Sequence, residues 1–431
     1  MLQTEKSSIT TTRVRPEDDR KEGAAGLTRA EWLVLMALAI IQFTHVVDFM
    51  IVMPLGPELK QALHLGPKQF SEIVAVYGFS ASVAGLCAAR FMDRFDRKTA
   101  VLVLYVGFTL GTLFCALAPN YELLLAARAV AGAFGGVVGA AVLTIIGDAF
   151  PDARRGRATG VVMSAFSVAA IAGVPAGLYL AGWLGWRAPF GVLAGAAVLV
   201  LVGVYFVLPS MRGHLSRARL DDAKPWAVLV QPTHVRAYLL MTTLMLSSFM
   251  IAPFFADYMV SNVGLAKGEL PYIYLCGGVA TLLTMTWFGR LSDRLGKLPI
   301  FRVLALLTLI PMALVTNLPP VPLLVALAIS TLFMVTSSGR MVPAMALITA
   351  SAEPRRRGSF LSVNSSVQTM AMALASIVGG RLLGQTEDGR LAGYPMVGGL
   401  AMLAVLASVW LAGRLRPAAG GEDAAVVLKS T

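Results

Sequence analysis

The chain has 431 residues, of which 57% are hydrophobic and only 14% charged, and its formal net charge is +12. The mean hydropathy of +0.72 excludes an ordinary soluble protein, because most of the chain must face lipid rather than water. Cys87, Cys115 and Cys276 all fall inside apolar runs, so we interpret them as small buried hydrophobes and expect neither a disulfide nor a metal site.

Apolar stretches of about 20 residues recur along the chain, each long enough to cross roughly 30 Å of hydrocarbon as a helix. They predict an all-α membrane protein with twelve spans. In chain order, the predicted spans run from Trp32 to Leu55, Phe70 to Ala89, Thr99 to Ala118, Tyr121 to Gly147, Ala158 to Trp183 and Arg187 to Leu208. The last six begin near Val235, Glu269, Leu298, Pro320, Ser359 and Gly393.

Polar segments divide these spans into two bundles. We predict a disordered cytoplasmic tail over 1–30, six-helix bundles over 31–208 and 234–414, a cytoplasmic linker over 209–233 and a tail over 415–431. All but eight of the 36 lysines and arginines lie on the side of the two termini. Such an excess marks the cytoplasmic side, so both termini are expected there. The positive charge then faces anionic lipid headgroups, and no nucleic-acid partner is needed to explain it.

The two bundles are copies of one unit. Asp93 and Arg94 recur 200 residues later as Asp293 and Arg294, and Phe-Met-Ile at 49–51 recurs at 249–251. An internal repeat of this length, in a chain of membrane spans, is typical of transporters that rock around a central site. The predicted architecture is therefore two six-helix pseudo-repeats around a central cavity.

Ionisable residues inside spans are candidates for function, because an unpaired charge in hydrocarbon is costly. Asp48 in span 1 and Arg128 in span 4 both lie roughly 10 Å below the outer surface, counting about 1.5 Å per residue. Equal depth predicts a pair, which is either a static salt bridge or a proton-coupling site. The repeat places Ser248 and Ala328 at the corresponding positions of the second half, so the asymmetry favours a proton or substrate role.

His45 lies one turn before Asp48 on the same face, and Gln42 one turn before His45. A single membrane histidine is more often a hydrogen-bonded core residue, but its titration range suits proton handling. Arg340 lies near mid-membrane in span 10 and is expected to bind an anionic or hydroxyl-rich part of a substrate. The full set of predicted substrate-binding residues is Gln42, Tyr77, Ser248, Phe249, Arg340, Asn364 and Gln368. A structural polar network between helices remains an alternative for these residues.

The loop between spans 2 and 3 carries Asp93, Arg94, Arg97 and Lys98, with Ala89 and Asp96 at two positions that hold Gly289 and Gly296 in the second copy. Span 4 carries Arg128 followed by Gly132, and span 5 carries Gly173, Pro175 and Gly177. These motifs resemble those of the major facilitator superfamily, and more narrowly its drug and sugar efflux branch of twelve-helix proton antiporters. The resemblance covers nearly all of the chain from span 1 to span 12.

The resemblance implies three further roles for residues of this sequence. Asp93, Arg94, Arg97 and Asp148, with Asp293 and Arg294, are expected to latch the cytoplasmic ends of the helices. The span 5 motif of Gly173, Pro175 and Gly177 is similar to the segment associated with antiporters, and it supplies either tight packing or a kinkable face. At position 96, aspartate is expected to tolerate the left-handed backbone that glycine would adopt.

The function implied is a proton-coupled secondary transporter that exports small amphipathic compounds or sugars by alternating access. The partners expected are a small-molecule substrate, protons and the bilayer, with no cofactor beyond the proton gradient. The protein is expected to be a monomer in a bacterial inner membrane. A proton-coupled importer or facilitator is one alternative, and a membrane receptor or scaffold that transports nothing is another. No phosphate-binding loop, metal-spaced cluster or hydrolytic constellation occurs in the sequence, so enzyme chemistry is not expected.

Overall fold

Long helices make up almost all of the part of the chain that the structure describes. The computed structural model describes residues 28–212, 231–353 and 357–415, with the backbone alone for residues 89–91, 93, 152 and 153. Within these ranges, twelve helical segments are long and apolar enough to span a membrane. The predicted fold class is therefore confirmed.

The bounds of the spans lie within a few residues of those predicted, except that span 5 begins earlier. Spans 1 to 6 are Arg29–Ile51, Pro67–Phe91, Arg97–Leu117, Tyr121–Ala149, the helix Asp152–Val168 continued by Ala169–Gly173 and Val174–Leu184, and Ala188–Val207. Spans 7 to 12 are Pro232–Phe249 with Ala252–Ser261, Leu270–Leu295, Lys297–Thr316, Leu323–Gly339 with Met341–Ala350, Arg357–Leu382, and Tyr394–Ala412. The connections include a short helix, Gly56–Leu63, turns of 3₁₀-helix at Met92–Arg94 and Lys267–Glu269, and antiparallel strands β1 (Gly384–Gln385) and β2 (Leu391–Ala392).

Alternating helices give the bundle two ends. We call the end at which spans 1 and 7 begin, and spans 6 and 12 finish, the terminal face; the opposite end is the distal face.

Span 1 begins at Arg29, three residues before its predicted start, because Thr28 caps it. The Thr28 hydroxyl accepts a hydrogen bond from the Glu31 amide at 3.2 Å, and the Glu31 carboxylate accepts one from the Thr28 amide at 2.8 Å. The predicted tail over 1–30 thus includes two helical residues, and the rest of it lies outside the described ranges, apart from Thr28.

The outside of the bundle is apolar, as lipid requires. Phe206 is 78% exposed and Leu199 is 75% exposed, both in span 6. Such large apolar side chains would be unfavourable in water and are suited to hydrocarbon.

The prediction that the three cysteines are buried was wrong for two of them, since Cys87 and Cys276 are exposed and only Cys115 is enclosed. Apolar periodicity alone cannot separate a lipid-facing position from a buried one.

The two halves meet along spans 2 and 11 and along spans 5 and 8. The Ser82 hydroxyl in span 2 donates to the Ser366 carbonyl in span 11 at 2.8 Å, and the Ser376 hydroxyl donates to the Ser71 carbonyl at 3.2 Å. Small residues allow the helices to approach this closely. Gly278 of span 8 similarly packs on span 5 beside Ile171.

Candidate functional site

Asp48 and Arg128 form an ion pair enclosed in the amino-terminal half. The Arg128 Nη1 atom lies 2.8 Å from Asp48 Oδ2, and the two residues are 1% and 0% exposed respectively. The second carboxylate oxygen, Oδ1, accepts a hydrogen bond from the Thr112 hydroxyl at 3.1 Å. The pairing expected from equal depth is therefore present, and Thr112 of span 3 is an additional partner that the sequence did not indicate.

The Arg128 guanidinium also lies against an aromatic ring. Its Cζ atom is 4.3 Å from the centre of the Tyr77 ring, a distance at which a cation is attracted to the ring face. Gly132, one turn further along span 4, makes this approach possible, because a side chain there would collide with the backbone of Tyr77. Arg128 is thus held by a carboxylate on one side and by an aromatic ring on another.

A row of unpartnered polar atoms continues from this pair towards the terminal face. Gln42 Oε1, His45 Nδ1 and the Tyr77 hydroxyl are buried atoms that have no hydrogen-bond partner among the described residues. All three side chains lie over small residues of span 4, since an added Cβ at Gly135 would meet Tyr77 and His45, and one at Gly139 would approach His45 and Gln42. The arrangement is chemically suited to hydrogen-bonding a polar ligand or water molecules that carry protons. The roles predicted for these residues remain predictions.

In the carboxy-terminal half, Arg340 lies at the break between the two helices of span 10. It is 0% exposed, and its Nη2 atom donates to the Ser247 and Ser248 hydroxyls of span 7 at 2.9 and 3.0 Å. The Arg340 side chain is therefore enclosed by the protein, and its substrate-binding role stays a prediction. Ser248 occupies the position in the second half that corresponds to Asp48 in the first. In each half, therefore, an arginine side chain contacts the residue at this position of the first span, which is span 1 or span 7. The second arginine comes from position 340 rather than from 328, where the repeat has alanine.

Aromatic rings connect the two halves between these arginines. The ring of Phe49 lies 5.5 Å from that of Tyr77 and 6.2 Å from that of Phe249, measured between centroids. Asn364 in span 11 is buried with an unpartnered Oδ1 atom, and Gln368 is half-buried one turn further on. No described hydrogen bond joins Asn364 or Gln368 to Arg340, so the structure does not assemble these three predicted residues into one network.

At the terminal face, the predicted latch residues are brought together only in part. Arg97 Nε lies 2.9 Å from Asp148 Oδ2, which ties the start of span 3 to the end of span 4. This ion pair lies within one half and does not itself join the halves. Asp293 and Arg294 are exposed and form no ion pair with other described residues. The Asp93 side chain lies outside the described part of the chain, and Arg94 is exposed.

Asp96 has a different role from the one expected. Its φ is −55°, so no left-handed backbone occurs there, whereas Gly296 in the second copy has a φ of 93°. Burial disfavours the charged carboxylate, but hydrogen bonds from the Ser210 hydroxyl, the Lys98 amide and Arg212 outweigh it and lower the pKa of Asp96 to about 2. Asp96 therefore caps span 3 and ties it to the chain that leaves span 6.

We expect Asp148→Asn to shift the protein towards states that are open at the terminal face. The pair with Arg97 fixes the end of span 4, span 4 packs on span 2, and span 2 forms the contact with span 11 of the other half. Asp148 is 35% exposed, so the effect should be modest, about 1 kcal/mol or roughly a fivefold change in population. A cysteine at Ser366, buried between spans 2 and 11, would report the opening by faster maleimide labelling in a chain lacking Cys87, Cys115 and Cys276. Asp293→Asn is the matched control, and unchanged labelling in Asp148→Asn would contradict the latch.

At the distal face, an ion pair that the sequence did not reveal joins the two halves. Lys60 Nζ, in the short helix Gly56–Leu63, lies 2.6 Å from Asp257 Oδ2 in span 7, and the residues are 7% and 6% exposed. A surface cleft of about 480 Å³ lies beside this pair and is lined by both halves, including His64 and Gln385. The sequence gives no indication of this pair, because Lys60 and Asp257 are 197 positions apart.

The span 5 motif packs against the helix that carries Asp48. Pro175 cannot donate a backbone hydrogen bond, and the five residues before Val174, Ala169–Gly173, form a π-helical segment. Gly173 lies against Val47 and Gly177 against Ile51, both in span 1. The glycines therefore provide close packing within one half, while the π-helical segment meets Gly278 of the other half.

Gly177→Val is expected to destabilise the amino-terminal half. A Cβ at this position would lie 2.6 Å from the Ile51 Cδ1 atom, and Ile51 is 1% exposed and has no space to move into. Overpacking of this kind costs about 1–3 kcal/mol, which should lower the midpoint of thermal unfolding of the purified protein. Gly182→Val in the same helix is the control, because a Cβ at Gly182 meets nothing within 4 Å. Equal midpoints for the two variants would show that the contact is unimportant.

A twelve-span bundle of two repeated halves, with a buried arginine in each half, defines a membrane transporter. The comparisons with known proteins agree. A sequence profile described as Major Facilitator Superfamily matches residues 38–246 and 237–428. The chain belongs to this superfamily, which consists of transporters and not enzymes. No group of histidine, cysteine and acidic side chains able to hold a metal ion occurs among the described residues.

Among its relatives, the chain is 26% identical over 378 residues to the MFS-type transporter YbcL of Bacillus subtilis (strain 168), covering 86% of this chain and 94% of YbcL. It is 26% identical over 266 residues to a chloramphenicol resistance protein of Streptomyces lividans, covering 61% of this chain and 67% of the relative. The crystal structure of a D-xylose-proton symporter is similar with a TM-score of 0.72 at 16% identity, covering 88% of this chain and 97% of that one. The structural similarity shows the same fold.

Proposed function

We propose that the protein is a proton-coupled secondary transporter that exports small amphipathic compounds or sugars by alternating access. The observation that carries the proposal is the enclosed Asp48–Arg128 pair, whose corresponding positions in the second half hold Ser248 and Ala328. A pair that merely stabilised the six-helix unit would be expected in both halves, whereas a site that takes up and releases protons is needed once. The unpartnered atoms of Gln42, His45 and Tyr77 beside it are suited to lead protons or a polar ligand to the carboxylate.

The direction of transport is part of the same proposal. Similarity to a protein named for chloramphenicol resistance supports export, as does the span 5 motif. We place the protein in a bacterial inner membrane as a monomer, with the terminal face cytoplasmic and the proton gradient as the only energy source. The excess of lysine and arginine on the terminal side supports this orientation.

The test is transport into inverted membrane vesicles that contain the protein, with chloramphenicol, a pentose and the anion 2-naphthalenesulfonate as labelled probes. At least one probe should accumulate when the vesicle interior is made acidic, and accumulation should stop when an ionophore such as nigericin collapses the gradient. Vesicles from cells lacking the protein provide the blank. Accumulation driven by an alkaline interior would show proton-coupled import instead. Uptake at the same rate with and without the pH gradient would show facilitated diffusion.

A further inference from the structure

Arg340 is a buried cation without a counter-charge among the described residues. It lies about 25 Å from the distal start of span 10 and about 15 Å from its other end, at about 1.5 Å per residue. Its Nη2 atom is used by the Ser247 and Ser248 hydroxyls, while the buried Nε and Nη1 atoms have no hydrogen-bond partner in the described ranges. Two neutral hydroxyls compensate a buried guanidinium only weakly.

Asp48, the buried carboxylate of the amino-terminal half, is already engaged. Both oxygens of Asp48 are occupied, one by Arg128 and the other by Thr112. The Arg128 guanidinium thus contacts a carboxylate and an aromatic ring, whereas the Arg340 guanidinium contacts only two serine hydroxyls among the described residues. A negatively charged partner for Arg340 therefore has to come from outside the described residues.

The surroundings of Arg340 indicate what that partner looks like. Ser248 and the neighbouring Phe249 are half-buried, so the edge of the arginine site opens onto the space between the halves. The Phe249 ring faces Phe49 at 6.2 Å, and Phe49 continues to Tyr77. A compound with one negative group on Arg340 and a flat apolar body along Phe249 and Phe49 would satisfy the guanidinium and bury apolar surface together.

We infer that the transported compounds are small amphipathic organic anions, with the negative group bound by Arg340 and the apolar body by the Phe49–Phe249 strip. This inference rests on the proposed transport function and narrows its substrate class. The negative charge of the substrate then binds in the carboxy-terminal half, while the Asp48–Arg128 pair lies in the amino-terminal half at the other end of the aromatic strip. The substrate charge and the proton would thus bind to different halves of the protein.

The test measures equilibrium binding, which needs no proton gradient and so separates this inference from the proposed coupling. The probes are 2-naphthalenesulfonate, a permanent anion, and its neutral analogue 2-naphthalenesulfonamide. Equilibrium dialysis against the full chain in lipid nanodiscs, with empty nanodiscs as blank, should show about tenfold tighter binding of the anion. Arg340→Lys should keep a preference for the anion, and Arg340→Gln should abolish it.

Arg381→Gln is the matched control, since Arg381 is an exposed arginine in the last turn of span 11. It should leave the preference unchanged. If Arg340→Gln does not fold, the affinities of the two probes for the unmodified protein decide whether the inference holds. Equal affinity for both probes, binding of neither, or a preference that persists in Arg340→Gln would each overturn the inference. A failure of pH-driven transport with the anion preference intact would instead count against the proposed proton coupling.

Discussion

Replacing Asp48 with asparagine is expected to abolish pH-driven accumulation while substrate exchange across the membrane continues. Asparagine resembles the protonated carboxyl group in shape and hydrogen bonding, so the variant should behave as a transporter fixed in its protonated form. Burial opposes the charged carboxylate, whereas Arg128 at 2.8 Å favours it. A movement of span 1 against span 4 would change this balance and let the carboxylate take up or release a proton.

The structure indicates why this variant should still fold. Removing one partner of a buried ion pair commonly costs about 3–5 kcal/mol. Here the Arg128 guanidinium keeps the Tyr77 ring at 4.3 Å, and the amide oxygen of asparagine can accept the hydrogen bond that the carboxylate accepted. The loss should therefore be smaller than for a pair with no other support.

Both activities should be measured in proteoliposomes made from purified protein. For Asp48→Asn, accumulation driven by a pH gradient should fall to the level of empty liposomes, and exchange of labelled for unlabelled substrate should remain. Asp293→Asn, which removes an exposed carboxylate, is the control and should affect neither activity. Wild-type accumulation in Asp48→Asn would exclude Asp48 as the coupling site and make His45 the next candidate. Loss of both activities together with lower thermal stability would indicate a static salt bridge.

Replacing Asp257 with asparagine is expected to open the distal face. Lys60 and Asp257 are each less than 10% exposed, and they belong to different halves. Without Asp257, Lys60 remains as an uncompensated charge while the face is closed but is hydrated once it opens. With a penalty of about 3 kcal/mol, the ratio of open to closed protein should rise by roughly a hundredfold.

Spin labels at His64 and Gln385 would report this change, because the two exposed side chains line the cleft from opposite halves. Electron paramagnetic resonance distances between them should lengthen in Asp257→Asn, in a chain lacking the three native cysteines. The exchanged pair Lys60→Asp with Asp257→Lys should restore part of the short distance. Glu122→Gln, an exposed acid on the same face, is the control. A distance distribution that does not change in Asp257→Asn would show that the pair does not hold the face closed.

Much of the architecture follows from properties that are local in the sequence. The spans are visible because lipid requires about 20 apolar residues in each crossing, and the repeat is visible because identical residues recur at one offset. Even the Asp48–Arg128 contact was predictable, since depth along a straight helix follows from residue counting. The latch was predictable only as a cluster, because counting does not show which of its acidic and basic side chains pair with each other.

What the sequence by itself determined is the number and order of the spans, their division into two halves and the depth of each buried charge. Only the tertiary structure decided which side chains meet, because rotation about a helix axis and the packing of one half on the other are set by many distant contacts. Thr112 on Asp48, the serines on Arg340 and Lys60 on Asp257 are all contacts of this kind. The exposure of Cys87 and Cys276 has the same origin, since lipid and protein interior are both apolar and only packing distinguishes them.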